Sequence, residues 1–224
     1  KSCGGEYDYI DPNNTECLKF FQAYQECISG INLPHILERK CPYASPKPQD
    51  IISERRSLNQ KSEVFLHSDS EHPHFGCRNY DHFLSRYWAN DPRVREALCI
   101  RKGSVQEWHR CSSFLIDQYK REILSSFQYH VNLSAKGYRS LIYSGDHDMV
   151  VTTMGTEAWI KSLNYSIVDD WRPWIVRGQV AGFTRSYSNR MTFATVKGAG
   201  HTAPQYKPKE CFAMFKRWID HESL

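Results

Sequence analysis

Two short segments constrain this chain most: Ser144-Gly145-Asp146-His147-Asp148 and Gly198-Ala199-Gly200-His201. Each closes an apolar run, residues 140–143 and 191–196, with the length and composition of a buried strand. A carboxylate and a histidine are thereby delivered to the loops beyond two strand ends, where open α/β sheets bind ligands. An acid followed by a base is also the second and third part of an order in which a serine comes first, on a Gly-x-Ser-x-Gly turn. No Gly-x-Ser-x-Gly occurs upstream in this sequence. The sequence reads as the acid-and-base half of a serine-dependent site, with its nucleophile expected on a segment before Lys1.

The bulk properties remove other classes. A chain of 224 residues can bury a core as one domain or as a domain with a lid. Its formal charge of +4 is mild, and the lysines and arginines are scattered, so a nucleic-acid partner is not expected. No apolar run approaches the roughly 20 residues that span a bilayer, so no membrane partner is expected either. The first residue is Lys1 and no signal peptide is present, which reads as a processed or truncated product. Eight cysteines without a Cys-x-x-Cys pair argue against a zinc ribbon or a thioredoxin-type site. Three Asn-x-Ser/Thr sequons, at Asn13, Asn132 and Asn164, beside those cysteines favour an oxidising, secretory route. The expected location is secreted or vacuolar.

Texture divides the chain. Cys17, Leu18, Phe21, Tyr24, Cys27 and Ile28 recur at helical spacing across residues 14–28, and Gly30 ends the pattern. Residues 42–71 are polar and read as an exposed linker, with Arg55-Arg56 an accessible cleavage site. Asn90-Asp91-Pro92 opens a short helix through Leu98, and a longer helical pattern runs over residues 112–129. Beyond Ser134 the texture is α/β. Strand 140–143 is followed by a helix near 153–163, a hairpin of 169–177 and 179–187 broken at Gly178, and strand 191–196. An amphipathic helix over 208–220 closes the chain, with Phe212, Phe215, Trp218 and Ile219 on one side. The fold class is α/β: residues 112–224 form the C-terminal part of a doubly wound core, and residues 1–111 form a largely helical lid or insertion.

Longer motifs carry a family resemblance. Residues 137–150, running Gly-Tyr-Arg-Ser-Leu-Ile-Tyr-Ser-Gly-Asp-His-Asp-Met-Val, resemble the acid-bearing strand of plant serine carboxypeptidase-like proteins. Asp170-Trp171-Arg172-Pro173-Trp174 and Val180-Ala181-Gly182-Phe183-Thr184-Arg185-Ser186-Tyr187 resemble the hairpin that follows. Thr195-Val196-Lys197-Gly198-Ala199-Gly200-His201-Thr202-Ala203-Pro204 resembles the histidine loop. Asn90-Asp91-Pro92-Arg93-Val94-Arg95-Glu96-Ala97-Leu98 and Cys3-Gly4-Gly5 extend the match to nearly the whole chain. The resemblance implies an α/β-hydrolase fold with a helical lid, and places the serine elbow and oxyanion loop before Lys1.

That resemblance gives His201 the role of base and Asp148 the role of orienting acid, because the family pattern Gly-x-x-Asp selects the second aspartate. Asp146 is then a loop-shaping residue that accepts backbone N–H bonds. Thr202, beside the histidine, is expected to line the substrate site, the alternative being an ordinary loop residue. The resemblance also implies disulfides Cys3–Cys17 and Cys41–Cys77, with Cys111 joined to the absent N-terminal half. Cys27, Cys99 and Cys211 remain, on helix faces where a thiol behaves as a small hydrophobe. A second cluster, His67, His72, His74, Cys77 and His82, contains metal-ligating residue types, but its spacing fits no tetrahedral zinc pattern. No metal or cofactor is expected. The implied activity is that of a serine-type carboxypeptidase acting on peptides. The alternatives are an acyltransferase using glucose-ester donors, or a secreted, non-catalytic product, which this chain alone would be without serine and oxyanion donors.

Overall fold

The computed structural model describes Cys3, residues 11–41, Arg78, and residues 82–120, 122–123 and 125–224. The chain forms two compact units, Lys1–Glu38 with Tyr129–Leu224, and Arg39–Gln128. This differs from the expected division after residue 111. Leu33, Pro34 and Ile36 hydrogen-bond to the backbone at Met149, His201 and His147, which ties the first segment to the C-terminal part.

In the first unit, helix α1 spans Thr15–Ile28. Asn14 caps it, its side-chain oxygen accepting from the Cys17 backbone N–H at 2.9 Å. Cys17 is joined to Cys3. The sheet strands are β1 (Ser140–Gly145), β2 (Ile167–Val176), β3 (Gln179–Tyr187) and β4 (Met191–Val196), ordered β1-β4-β3-β2 among the described residues. β1 runs parallel to β4, from Ser140 opposite Met191 to Gly145 opposite Val196, and so extends two residues past the expected 140–143. β3 pairs antiparallel with both β4 and β2. The hairpin between β2 and β3 turns at Arg177 and Gly178, both at positive φ (51° and 76°), as a two-residue turn matching the strand twist requires. Pro173 lies within β2, which holds the edge of the sheet, where a missing N–H is tolerated.

Alternation along β4 gives the sheet two covered faces. Met191 and Phe193 pack with Ile160 of helix α6 (Thr153–Ser162). Ala194 and Val196 pack with Cys211 and Met214 of the closing helix α8 (Pro208–Ile219), which follows the single turn α7 (Ala203–Tyr206). The parallel pair thus carries one helix on each side, the layering of an α/β fold. The expected apolar stripe on α8 needs correction. Cys211 and Met214 face the core, while Phe212, Phe215 and Ile219 are exposed. Helical spacing allows two apolar faces here, and the sequence marked the wider one.

In the second unit, α2 (Phe83–Asn90) was not evident from sequence, and α3 (Pro92–Ala97) starts where Asp91-Pro92 places it. Asp91 accepts the Arg93 backbone N–H, and the adjoining Arg93 guanidinium helps hold its carboxyl down at about 2. Asn90 Oδ1 receives both Arg95 and the Trp108 N–H. The expected helix over 112–129 is broken into α4 (Ser113–Gln118), in this unit, and α5 (Phe127–Ala135), most of whose residues belong to the first unit. Ser112 Oγ accepts from Leu115 N–H and Ser125 Oγ from Phe127 N–H, so each helix has its own start signal.

The linker 42–71, with Arg55-Arg56, lies outside the described residues, as do Cys77 and the histidines His67, His72 and His74. His82, the remaining member of that cluster, caps α2, where its carbonyl accepts the Ser85 hydroxyl. Cys41 is disulfide-bonded. Cys111 is exposed and free among the described residues. Cys27 and Cys99 are exposed rather than packed as small hydrophobes; Cys99 has left the helix, at φ 55°. Of the free cysteines among the described residues only Cys211 is buried, and that burial, followed by the charge of Glu210, pushes its thiol up to about 11. Iodoacetamide near pH 8 should therefore alkylate Cys27 and Cys99 in the native protein, and Cys211 only after unfolding. Mass spectrometry would read this directly, and equal native labelling of Cys211 would contradict it.

Candidate active site

β1 and β4 lie side by side and end together, so the loops that follow them are adjacent. The chain then turns tightly after β1, with the Asp148 N–H donating to the Gly145 carbonyl at 3.2 Å. Gly145 is required at this junction. A Cβ there would lie 2.3 Å from the Ala199 carbonyl oxygen and 2.4 Å from that of Gly200. Only a hydrogen side chain lets the two loops meet backbone to backbone.

The two aspartates of the motif separate by role. Asp146 Oδ1 accepts the Gly198 N–H at 2.7 Å, and the His147 N–H donates to the Ala199 carbonyl at 2.9 Å. These bonds stitch the first loop to the second. Asp148 turns inward, with its side chain 5% exposed. Its Oδ1 accepts the backbone N–H groups of Val150 (2.8 Å) and Val151 (3.2 Å), and its Oδ2 lies 2.9 Å from His201 Nδ1. A buried carboxylate with three donors is held in one orientation. His201 is 42% exposed, so its ring reaches from the buried acid to the surface. With Nδ1–H donating to the acid, Nε2 keeps the free lone pair.

Thr202 stands beside His201 at the start of α7 and is exposed; its hydroxyl donates to the Gln205 side-chain oxygen at 2.9 Å. The sequon residues Asn13, Asn132 and Asn164 are all exposed.

Sequence reasoning missed the residues behind the pair. Leu33, Pro34 and Ile36 bond to the two loops, and the His35 ring meets those of His147 and Tyr206. Nothing in the composition of residues 31–38 sets them apart from an ordinary turn after α1. Their proximity is a tertiary fact.

The sequence profile of the serine carboxypeptidase family matches residues 1–221. The chain is 50% identical over its whole length to serine carboxypeptidase-like 19 of Arabidopsis thaliana, of which it covers 48%. It is 46% identical over its whole length to serine carboxypeptidase-like 11 of the same plant, covering 45% of that protein. Among solved structures, it resembles the prohormone-processing carboxypeptidase Kex1Δp of Saccharomyces cerevisiae. There the TM-score is 0.56 at 18% identity, with 95% of this chain and 49% of that one covered. At that identity the likeness speaks for fold alone, and the fold is that of an α/β-hydrolase. The chain spans about half the length of the curated relatives it matches. It belongs to the serine carboxypeptidase family.

Proposed function

We propose that this chain supplies the acid and base of a serine-type carboxypeptidase site, whose nucleophile lies on a preceding part of the same protein. One observation carries the reading: an almost fully buried Asp148 holds Nδ1 of a half-exposed His201 at 2.9 Å. In acyl transfer the base removes the proton of a serine hydroxyl and returns it to the leaving group, while the acid fixes the imidazole tautomer and stabilises the imidazolium. His201 Nε2 is the atom that exchanges the proton, and Asp148 does not itself take it up. The substrate is a peptide cleaved at its C-terminal residue, through an acyl-enzyme that water then hydrolyses.

The same pair serves transfer to an alcohol if water is excluded from the acyl-enzyme. Full-length protein offered an N-acyl dipeptide, and separately a glucose ester with an alcohol acceptor, distinguishes the two. Release of the C-terminal amino acid, blocked by a fluorophosphonate, is the expected result. Transfer to the alcohol with no peptide cleavage would make the protein an acyltransferase, and failure of the probe to label any serine would remove the serine mechanism.

The three exposed sequons and the Cys3–Cys17 disulfide support passage through an oxidising secretory compartment. Glycosidase treatment of the protein isolated from its own tissue should increase its mobility on a denaturing gel. Replacing Asn13, Asn132 and Asn164 together with Gln should abolish that shift, whereas a wild-type protein whose mobility does not change on treatment would count against secretion.

A further inference from the structure

The segment after α1 reaches both loops of the site. The Met149 N–H donates to the Leu33 carbonyl at 2.9 Å, the His201 N–H to the Pro34 carbonyl at 2.7 Å, and the Ile36 N–H to the His147 carbonyl at 3.1 Å. These bonds involve the residue before Asp148, the residue after it, and His201 itself. Four consecutive residues thus strap the acid loop and the base loop together. Packing is tight, since a Cβ on Gly200 would lie 2.1 Å from the Pro34 carbonyl oxygen.

Only one side chain of the strap is buried. Pro34 and Ile36 are exposed, whereas His35 is 8% exposed. Its ring lies between two others, edge-on to His147 (centroids 4.9 Å apart, planes at 80°) and tilted over Tyr206 (4.8 Å, 34°). Tyr206 belongs to α7, directly after the base, and His147 precedes the acid. Polar contact is slight. His35 Nε2 is 3.4 Å from His147 Nδ1, and Nδ1 of His35 has no hydrogen-bond partner among the described residues. The ring therefore acts through its plane and volume.

We propose that His35 is a positioning residue for the base: wedged between His147 and Tyr206, it seats the Leu33–Ile36 strap that holds the His201 backbone against the acid loop. This rests on the assignment of His201 as the base. Losing the wedge frees the Pro34 carbonyl, and with it the only strap bond to the backbone N–H of the base itself. Displacement of a catalytic group by about 1 Å costs about 100-fold in rate.

The test uses the full-length protein with an N-acyl dipeptide, rates being referred to active enzyme titrated with a fluorophosphonate. His35→Ala should lower kcat by about 100-fold with KM within about threefold, because substrate contacts are untouched while the base is displaced. His35→Phe, which restores a flat ring without the nitrogens, should recover most of kcat. Should His35→Ala fail to fold, His35→Leu, with similar bulk but no ring plane, takes its place with the same expected loss. If His201→Ala is inactive while the ring-lacking variant keeps wild-type kcat, the strap has no positioning role and the inference falls alone. If the ring-lacking variant loses rate and Phe restores none of it, the wedge is not the ring, and the inference also falls. If His201→Ala stays active, the assignment of the base has failed and the inference with it.

Discussion

Replacing His201 by Ala in the full-length protein should lower kcat by about 10⁴- to 10⁶-fold, with the substrate still bound. The Asp148 side chain is buried and keeps two of its three hydrogen-bond donors when the imidazole is gone, the backbone N–H groups of Val150 and Val151 in its own loop. Removal of the ring leaves that loop standing, so the loss is one of chemistry rather than of fold. The serine would keep its proton at neutral pH, and what remains is the catalysis provided by binding and oxyanion donors alone. Steady-state kinetics with the N-acyl dipeptide, together with an unchanged circular dichroism spectrum, would establish this. A variant retaining a tenth of wild-type kcat would show that another group is the base.

Asp148→Asn tests the other end of the pair. An amide in that position offers His201 Nδ1 either a carbonyl oxygen or an NH₂ group, and the second stabilises the wrong tautomer. The expected loss is about 10⁴-fold. Asp146→Asn should behave differently, since its Oδ1 bonds Gly198 N–H and the group lies outside the pair. A carboxamide oxygen can accept the same bond, so the activity of that variant should stay within about tenfold of wild type. The two aspartates sit two residues apart in one motif, and contrasting responses would separate a loop tie at Asp146 from an orienting acid at Asp148.

The parts of the molecule that sequence made legible are those in which local chemistry and tertiary structure agree. β4 alternates between two apolar faces because both are covered, and its run of apolar residues was sufficient to place it. The Asp148–His201 pair follows from two motifs at the ends of two parallel strands. What was hidden depended on distance along the chain. The strap at Leu33–Ile36 lies more than a hundred residues before the loops it ties, and its hydrogen bonds use backbone groups that every residue type carries. The face that α8 buries could not be chosen from spacing, since Cys211–Met214 and Phe212–Phe215 both have helical periodicity. The predicted helix over 112–129 failed because its apolar spacing outweighed two serines that each start a separate helix.

Gly182→Ala should be the most destabilising single methyl addition in the sheet. Gly182 lies opposite Trp174 in the β2–β3 pair, and the indole of Trp174, fully buried, passes over it to donate Nε1–H to the Thr195 carbonyl at 2.9 Å. The regular β3–β4 ladder stops short of this point, and the Thr195 hydroxyl takes the Phe183 N–H at 3.0 Å instead. A Cβ on residue 182 would sit 1.8 Å from the Thr195 carbonyl oxygen and 2.6 Å from the indole nitrogen. Neither neighbour can yield cheaply, because the first is strand backbone and the second is a fully buried ring in the same core cluster as Ala194, Val196 and Met214. Overpacking of this kind costs about 1–3 kcal/mol, and a buried N–H or carbonyl left without its partner about 1–3 kcal/mol more. The sum, about 2–6 kcal/mol, is a large fraction of the roughly 5–15 kcal/mol by which a domain is stable. β4 carries the His201 loop at its end, so partial yielding at Thr195 would also loosen His201. Urea denaturation of the full-length protein should show the midpoint falling sharply, or no folded protein at all. A midpoint within the range of a neutral surface substitution, about 0.5 kcal/mol, would mean that the indole has room to move and that the close approach at Gly182 is not what fixes the register of the sheet.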